Sequence, residues 1–195
     1  MAVMKGSIKL TIVICLWALL GQATALAAAQ ERDPELVKQL KRAIADTTSF
    51  GDRYEAEVWL ADMSQRLKKR FPKPKDRFLF LKYVHGEAQR ASLPPELVLA
   101  IIEVESNFNQ WAISRVGARG LMQIMPFWLK EIGRPGDDLF TLQTNLRMGC
   151  TILRHYLDKE NGNLIRALGR YNGSLGSFRY PDLVLTALRE RWYRP

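Results

Sequence analysis

Glu105 lies near the end of an apolar helical stretch and follows Ile102, Ile101 and Val98 at three, four and seven positions. At that spacing it continues the apolar face. Glu103, two residues earlier, falls about 200° round a helix, on the side of Glu96 and Ala100. Of the two acids, Glu105 is the better placed for desolvation. Burial raises a carboxyl pKa, and the negative end of a helix dipole pushes the same way. A rise from about 4.3 to about 6 would lift the protonated fraction at pH 7 from roughly 0.2% to about 10%. That is a usable general acid for cutting a polar polymer. From this helix alone, a glutamate paired with one of the many arginines fits as well.

The residues around it are rich in turn-formers and polar groups. Asn107 and Asn109 can turn the chain, and Gly117 and Gly120 permit left-handed or close-approach backbone. Leu121 to Ile124 then alternates apolar and polar residues before Pro126 opens the next element. Tyr171-Asn172-Gly173 comes about fifty residues later. Each residue has an ordinary reading by itself. Ser114 can cap a turn, Met122 can fill a core, Tyr171 can be a half-buried aromatic, and Ser106 can bond its own backbone. Their joint order beside Glu105 is what sets them apart.

That order resembles the catalytic core of the soluble lytic transglycosylases, relatives of goose-type lysozyme that cut the glycan strands of bacterial peptidoglycan. The resemblance spans roughly residues 76–172. It rests on Glu105-Ser106, on the Ser-x-x-Gly-Ala block from Ser114 to Ala118, on Gly120-Leu121-Met122-Gln123, and on Tyr171-Asn172. It implies a mainly α, lysozyme-like single domain with minimal β structure, preceded by a helical arm. It also implies that Glu105 is the acid and that Ser114 lies near the substrate. Gln123 would contact sugar, Met122 would line the groove, the Tyr171 hydroxyl would lie close to the acid, and Asn172 would hold the adjoining turn. The third block departs from the family pattern Ala-x-x-Ala-Tyr-Asn-Ala-Gly. Arg170 precedes the tyrosine, and Gly173-Ser174 follow the asparagine.

Most glycosidases use two carboxylates. Glu131, Asp137, Asp138, Asp158 and Glu160 all lie outside the matched blocks, and none is an evident partner for Glu105. A single acid points to substrate-assisted chemistry, a recognised exception. The resemblance implies that Glu105 protonates the glycosidic oxygen and then takes a proton from the C6 hydroxyl of N-acetylmuramic acid, closing a 1,6-anhydro ring without water. Two alternatives remain: a goose-type hydrolase on the same fold, and a non-catalytic module that binds cell wall. A basic nuclease is disfavoured, because His85 and His155 are the only histidines and no metal cluster or aromatic–basic stacking motif accompanies them. No metal, organic cofactor or nucleic-acid partner is implied.

The elements that must hold these residues are helices, since alternating strand patterns are almost absent. Residues 34–45 and 52–70 read as two helices, the second carrying Trp59, Met63 and Leu67 on one face. Phe71-Pro72-Lys73-Pro74 breaks the chain, and Phe80, Val84, Ala88 and Ala91 mark the next helix. Pro94-Pro95 pre-sets the helix of Glu105. Leu142, Leu146, Cys150, Leu153 and Leu157 form a long stripe that stops near Asn161-Gly162. Asn163 can cap a helix bearing Leu164, Leu168 and Tyr171, and Pro181 opens a last one.

Residues 1–29 read as a signal peptide, with Lys5 and Lys9 before an apolar run and small-x-small sites near Ala27 and Ala29. Residues 30–75 then form a helical arm and basic linker, and 76–195 the catalytic domain. The expected location is the periplasm or cell envelope, with an uncleaved anchor as the alternative. Cleavage would lower the net charge from +9 by the two lysines, leaving a basic chain suited to anionic envelope surfaces. The basic run from Arg66 to Lys75 could supply that contact. Cys150 would be the one cysteine left, a buried small hydrophobe on its stripe.

Overall fold

A computed structural model describes residues 53–193. The expected signal peptide and the expected helix at 34–45 lie outside them. Seven α-helices follow in order: α1 Arg53–Arg66, α2 Pro74–Arg90, α3 Pro95–Ser106, α4 Trp128–Ile132, α5 Leu142–Lys159, α6 Leu164–Asn172 and α7 Arg179–Ala187. A π-helical turn, Leu188–Trp192, continues from α7. Among the described residues β structure is limited to two isolated antiparallel bridges, Ile113 to Arg119 and Arg119 to Ile124. The mainly helical class expected from the sequence is the one observed. No described helix is long and apolar enough to cross a membrane.

Helix α3 is the axis of the fold. Six successive residues, Leu97 to Ile102, are buried, so the middle of the helix is apolar all round, as a segment enclosed by other helices must be. It packs against α2, α7 and the π turn, while α5 lies between α2 and α6. Pro94 and Pro95 start it without sacrificing any intrahelical hydrogen bond, because first-turn N–H groups have no partner in the helix. It ends where Asn107 and Phe108 both take left-handed backbone, with φ of 51° and 66°. Glu105 therefore occupies the last turn, with Asn107 N–H bonded back to the Glu103 carbonyl at 3.0 Å.

The long stripe of α5 is buried through Leu146, Cys150, Leu153 and Leu157. Asn163 caps α6 as its side chain accepts the Arg166 N–H at 3.1 Å. Two details differ from expectation. Pro181 is the third residue of α7, which begins at Arg179; a proline there removes only an N–H that lacks a helical partner. The short α4 buries no side chain, so it carries no apolar periodicity to announce it.

Helix α1 joins the core through Leu60 and Met63, with Leu67 in the turn after it, all wholly buried, and Trp59 Nε1 donates to Glu96 Oε1 at 2.7 Å. The break after it is held by Arg77, a buried guanidinium that donates to Ser64 Oγ at 2.9 Å and to the carbonyls of Phe71 and Pro72. Part of the basic run folds back on the core. Arg66 donates to the Arg191 carbonyl at 2.6 Å, and Arg70 reaches Glu103 and stacks over Phe108.

Candidate active site

The two acids of α3 have opposite surroundings. Glu103 is neutralised by Arg70 at 3.3 Å and Arg191 at 2.8 Å, and it also accepts from Trp192 Nε1 at 2.7 Å. Glu105 forms no ion pair among the described residues. Its one side-chain hydrogen bond comes from the Tyr180 hydroxyl, 2.6 Å from Oε1. Burial pushes the Glu105 carboxyl up from 4.5 to about 7, and the Tyr180 bond opposes that rise in part. At pH 7 such a carboxyl is about half protonated. It can therefore give up a proton and take one back within one cycle.

Tyr180 comes from the first turn of α7, 75 positions from its partner. It is buried, and burial together with the Glu105 charge holds its phenol well above 10, so it serves as a hydrogen-bond donor. Tyr171, at the end of α6, is raised in the same way. The Tyr171 hydroxyl lies close enough to feel the Glu105 charge, but its hydrogen bond goes to the Met122 carbonyl at 2.8 Å. The phenol on the acid is that of Tyr180.

The loop between α3 and α4 forms the facing wall. Ser114 N–H bonds the Ala118 carbonyl, and the Ser114 hydroxyl accepts the Ala118 N–H at 3.0 Å. The turn is closed twice, and the serine's own proton is left to donate elsewhere. Gln123 has a φ of 50°, and its Nε2 donates to the Gly120 and Ala112 carbonyls at 2.8 and 3.2 Å. The amide nitrogen is committed to the loop, so a ligand would meet Oε1. Asn145 of α5, buried, ties the wall down. It accepts the Met122 N–H at 2.8 Å and donates to the carbonyls of Arg119 and Leu139 at 2.9 and 2.7 Å. Gly120, with a φ of 77°, lies so close to Asn145 that a Cβ would collide with its amide.

These walls enclose two hollows that share Glu105 and Asn172. One, about 200 Å³, is lined by Ser114, Val116, Ala118, Gln123, Met125 and Tyr171 as well. The other, about 380 Å³, continues past the acid along Val104, Ser174, Ser177, Arg179, Tyr180 and Leu183. Glu105 is the one carboxylate lining either hollow among the described residues. Five of the six expected site residues, Glu105, Ser114, Gln123, Tyr171 and Asn172, thus meet at one place. Met122 does not line it. Its side chain is wholly buried against Gly149 of α5, and Met125 takes the wall position. The groove position that the resemblance implies for Met122 is thus not the one it takes, and Gln123, with a left-handed backbone, follows it.

Arg170, a departure noted in the sequence, is spent on Glu160 together with Arg166. Ser106 Oγ donates to the Ile102 carbonyl at 3.1 Å, the local bond expected of it. Among the described residues no group of three or more His, Cys, Asp or Glu side chains could hold a metal ion.

Residues 82–181 match the model of the transglycosylase SLT domain. Over 122 residues the chain is 32% identical to a soluble lytic murein transglycosylase of Escherichia coli strain K12, covering 58% of this chain and 18% of that protein. Over 114 residues it is 33% identical to a membrane-bound lytic murein transglycosylase C of Yersinia pestis, covering 50% of this chain and 32% of that one. The chain thus matches between about a fifth and a third of the length of these curated relatives. Among solved structures it is similar to a lytic transglycosylase Slt of Pseudomonas aeruginosa, at 21% identity and a TM-score of 0.45 over 80% of this chain and 34% of that one.

Proposed function

Because the chain belongs to the transglycosylase SLT domain family, matched over 82–181 of its 195 residues, we propose that it is a peptidoglycan lytic transglycosylase acting on the bond between N-acetylmuramic acid and N-acetylglucosamine. The observation that carries this reading is Glu105: an acid held near pKa 7, bonded to one phenol, in a groove where no second carboxylate faces it among the described residues. A two-carboxylate hydrolase uses its second acid as base or nucleophile, and no such acid lines this groove among the described residues. A lyase needs none.

In the first step the protonated Glu105 donates to the glycosidic oxygen, and the bond from that oxygen to the muramic C1 breaks. The departing sugar leaves with a new hydroxyl. The carboxylate so formed keeps its hydrogen bond from Tyr180, which favours the charged form and offsets part of the cost of its burial. In the second step Glu105 takes the proton of the C6 hydroxyl, and the C6 oxygen closes on C1. The acid ends protonated, as it began, and no water is consumed. Ser114 and the Oε1 of Gln123 contact sugar from the loop. Tyr171, anchored on the Met122 carbonyl, fixes the position of that loop against α6, and Asn172 borders the hollows on both sides of the acid.

The reading extends to the cell. Residues 1–29 would export the chain, 30–75 would form its arm, and the basic stretch Arg66–Lys75 would contact anionic envelope surfaces. Digestion of purified sacculi tests the proposal. The protein as it stands should release soluble muropeptides and Glu105→Gln should release none, while both keep the same circular dichroism. Equal release by the two would remove Glu105 from the mechanism.

A further inference from the structure

The larger hollow contains more positive and donor groups than protonation of a sugar oxygen requires. Arg179, the first residue of α7, lines it, and its guanidinium has no ion-pair partner among the described residues. Arginines nearby are committed: Arg166 and Arg170 to Glu160, and Arg191 to Glu103. Nor does Arg179 act as counter-ion to Glu105, whose shift comes from burial and Tyr180. A charge placed in a groove beside the acid but not on it is available to a ligand.

A second observation points the same way. The Ser174 hydroxyl, in the wall of this hollow, is buried with no hydrogen-bond partner among the described residues. A buried hydroxyl without a partner costs stability, and Ser174 is the lining residue of this hollow that carries one. Ser177 adds a third donor. Its Oγ accepts the Arg179 N–H at 3.3 Å, which leaves its own proton free to donate outward. The first turn of α7 adds the positive end of a helix dipole. Ser174 is also one of the three residues, with Arg170 and Gly173, by which the third sequence block departs from its family pattern.

We propose that Ser174, Ser177 and Arg179 form a carboxylate subsite that reads the acidic substituent of the sugar next to the cleaved bond. This rests on the peptidoglycan reading, and it names what distinguishes a preferred strand. The carboxylate is either the lactyl acid of muramic acid or an acid of the peptide stem it carries. Guanidinium and hydroxyl donors suit both. Asp182, in the same first helical turn, is exposed as Ser177 and Arg179 are, but it is not among the residues lining the hollow.

The test measures affinity by calorimetry in the full chain carrying Glu105→Gln, so that ligands are not consumed. Three ligands of equal length are compared: glycan strands with intact stems, strands stripped by an amidase to the lactyl acid, and neutral chitooligosaccharide. Adding Arg179→Gln should weaken at least one acidic ligand about ten- to hundredfold, the range of a lost charge-assisted pair. The neutral ligand should stay within about twofold, and Arg179→Lys should recover part of the loss. The acidic ligand that loses affinity identifies the source of the carboxylate. Ser174→Gly should weaken the same ligand by a smaller factor. Unchanged acidic affinity, an equal loss on the neutral ligand, or no binding of any of the three overturns the subsite. If acidic strands bind selectively but the unmutated protein releases no muropeptides, the lyase reading fails and the subsite stands.

Discussion

Glu105→Gln should stabilise the fold, by an amount that depends on pH. In the folded chain the carboxyl sits near 7 rather than 4.5, chiefly because it is buried. The folded state therefore holds the proton more tightly than the unfolded one. Below pH 4.5 both states are protonated and burial of the acid has no ionisation cost. Between 4.5 and 7 the unfolded chain releases its proton first, and stability falls as pH rises. Above 7 the cost is complete. At about 1.4 kcal/mol for each tenfold change in proton affinity, it is about 3 kcal/mol. That is a large part of the 5–15 kcal/mol typical of a domain. The glutamine does not titrate, and its amide oxygen can still accept from Tyr180. Chemical denaturation of both proteins at pH 4, 5.5, 7 and 8.5 gives the difference, in which the other titrating groups cancel. The gain of the variant over the parent should grow by about 3 kcal/mol from pH 4 to pH 8.5. A difference that is flat with pH would refute the perturbed carboxyl, and with it the reason Glu105 can act as an acid at neutral pH.

Removing the Tyr180 hydroxyl with Tyr180→Phe deletes the one bond that draws the Glu105 carboxyl downward. The alkaline limb of the pH–rate profile should then move up and the rate fall roughly ten- to hundredfold; an unmoved profile would show that the bond does not act on the acid. Met63→Ala on α1 should destabilise by about 2–5 kcal/mol in denaturant unfolding, because Met63 is wholly buried, and a loss under 1 kcal/mol would show that α1 is only loosely attached.

The parts of this molecule legible in the sequence are those whose signal is local. The stripe of α5 and the place of Glu105 on the apolar face of α3 are read from spacings of three, four and seven, and the cap at Asn163 from its residue type after a helix stop; each occurs as read. Tyr180 was not legible. It reaches the acid because α7 packs on α3, and nothing in Arg179-Tyr180-Pro181 encodes that pairing. Asn145 was missed for a related reason: a polar residue on a helix is ordinarily solvated, and its three bonds are all to another segment of chain. The groove role that the resemblance implies for Met122 fails because its side chain is wholly buried against Gly149 of α5, a long-range packing contact that a local motif does not encode.

Digestion of peptidoglycan in oxygen-18 water tests the single-acid lyase most directly. If Glu105 serves as acid and then base, the C6 oxygen closes the ring. The released muropeptides should then end in 1,6-anhydro-N-acetylmuramic acid, lighter by one water than the hydrolysed form, with no reducing end and no label at the new terminus. Labelled reducing ends as the main product would contradict the account and require a water-seating acid that the groove around Glu105 lacks among the described residues.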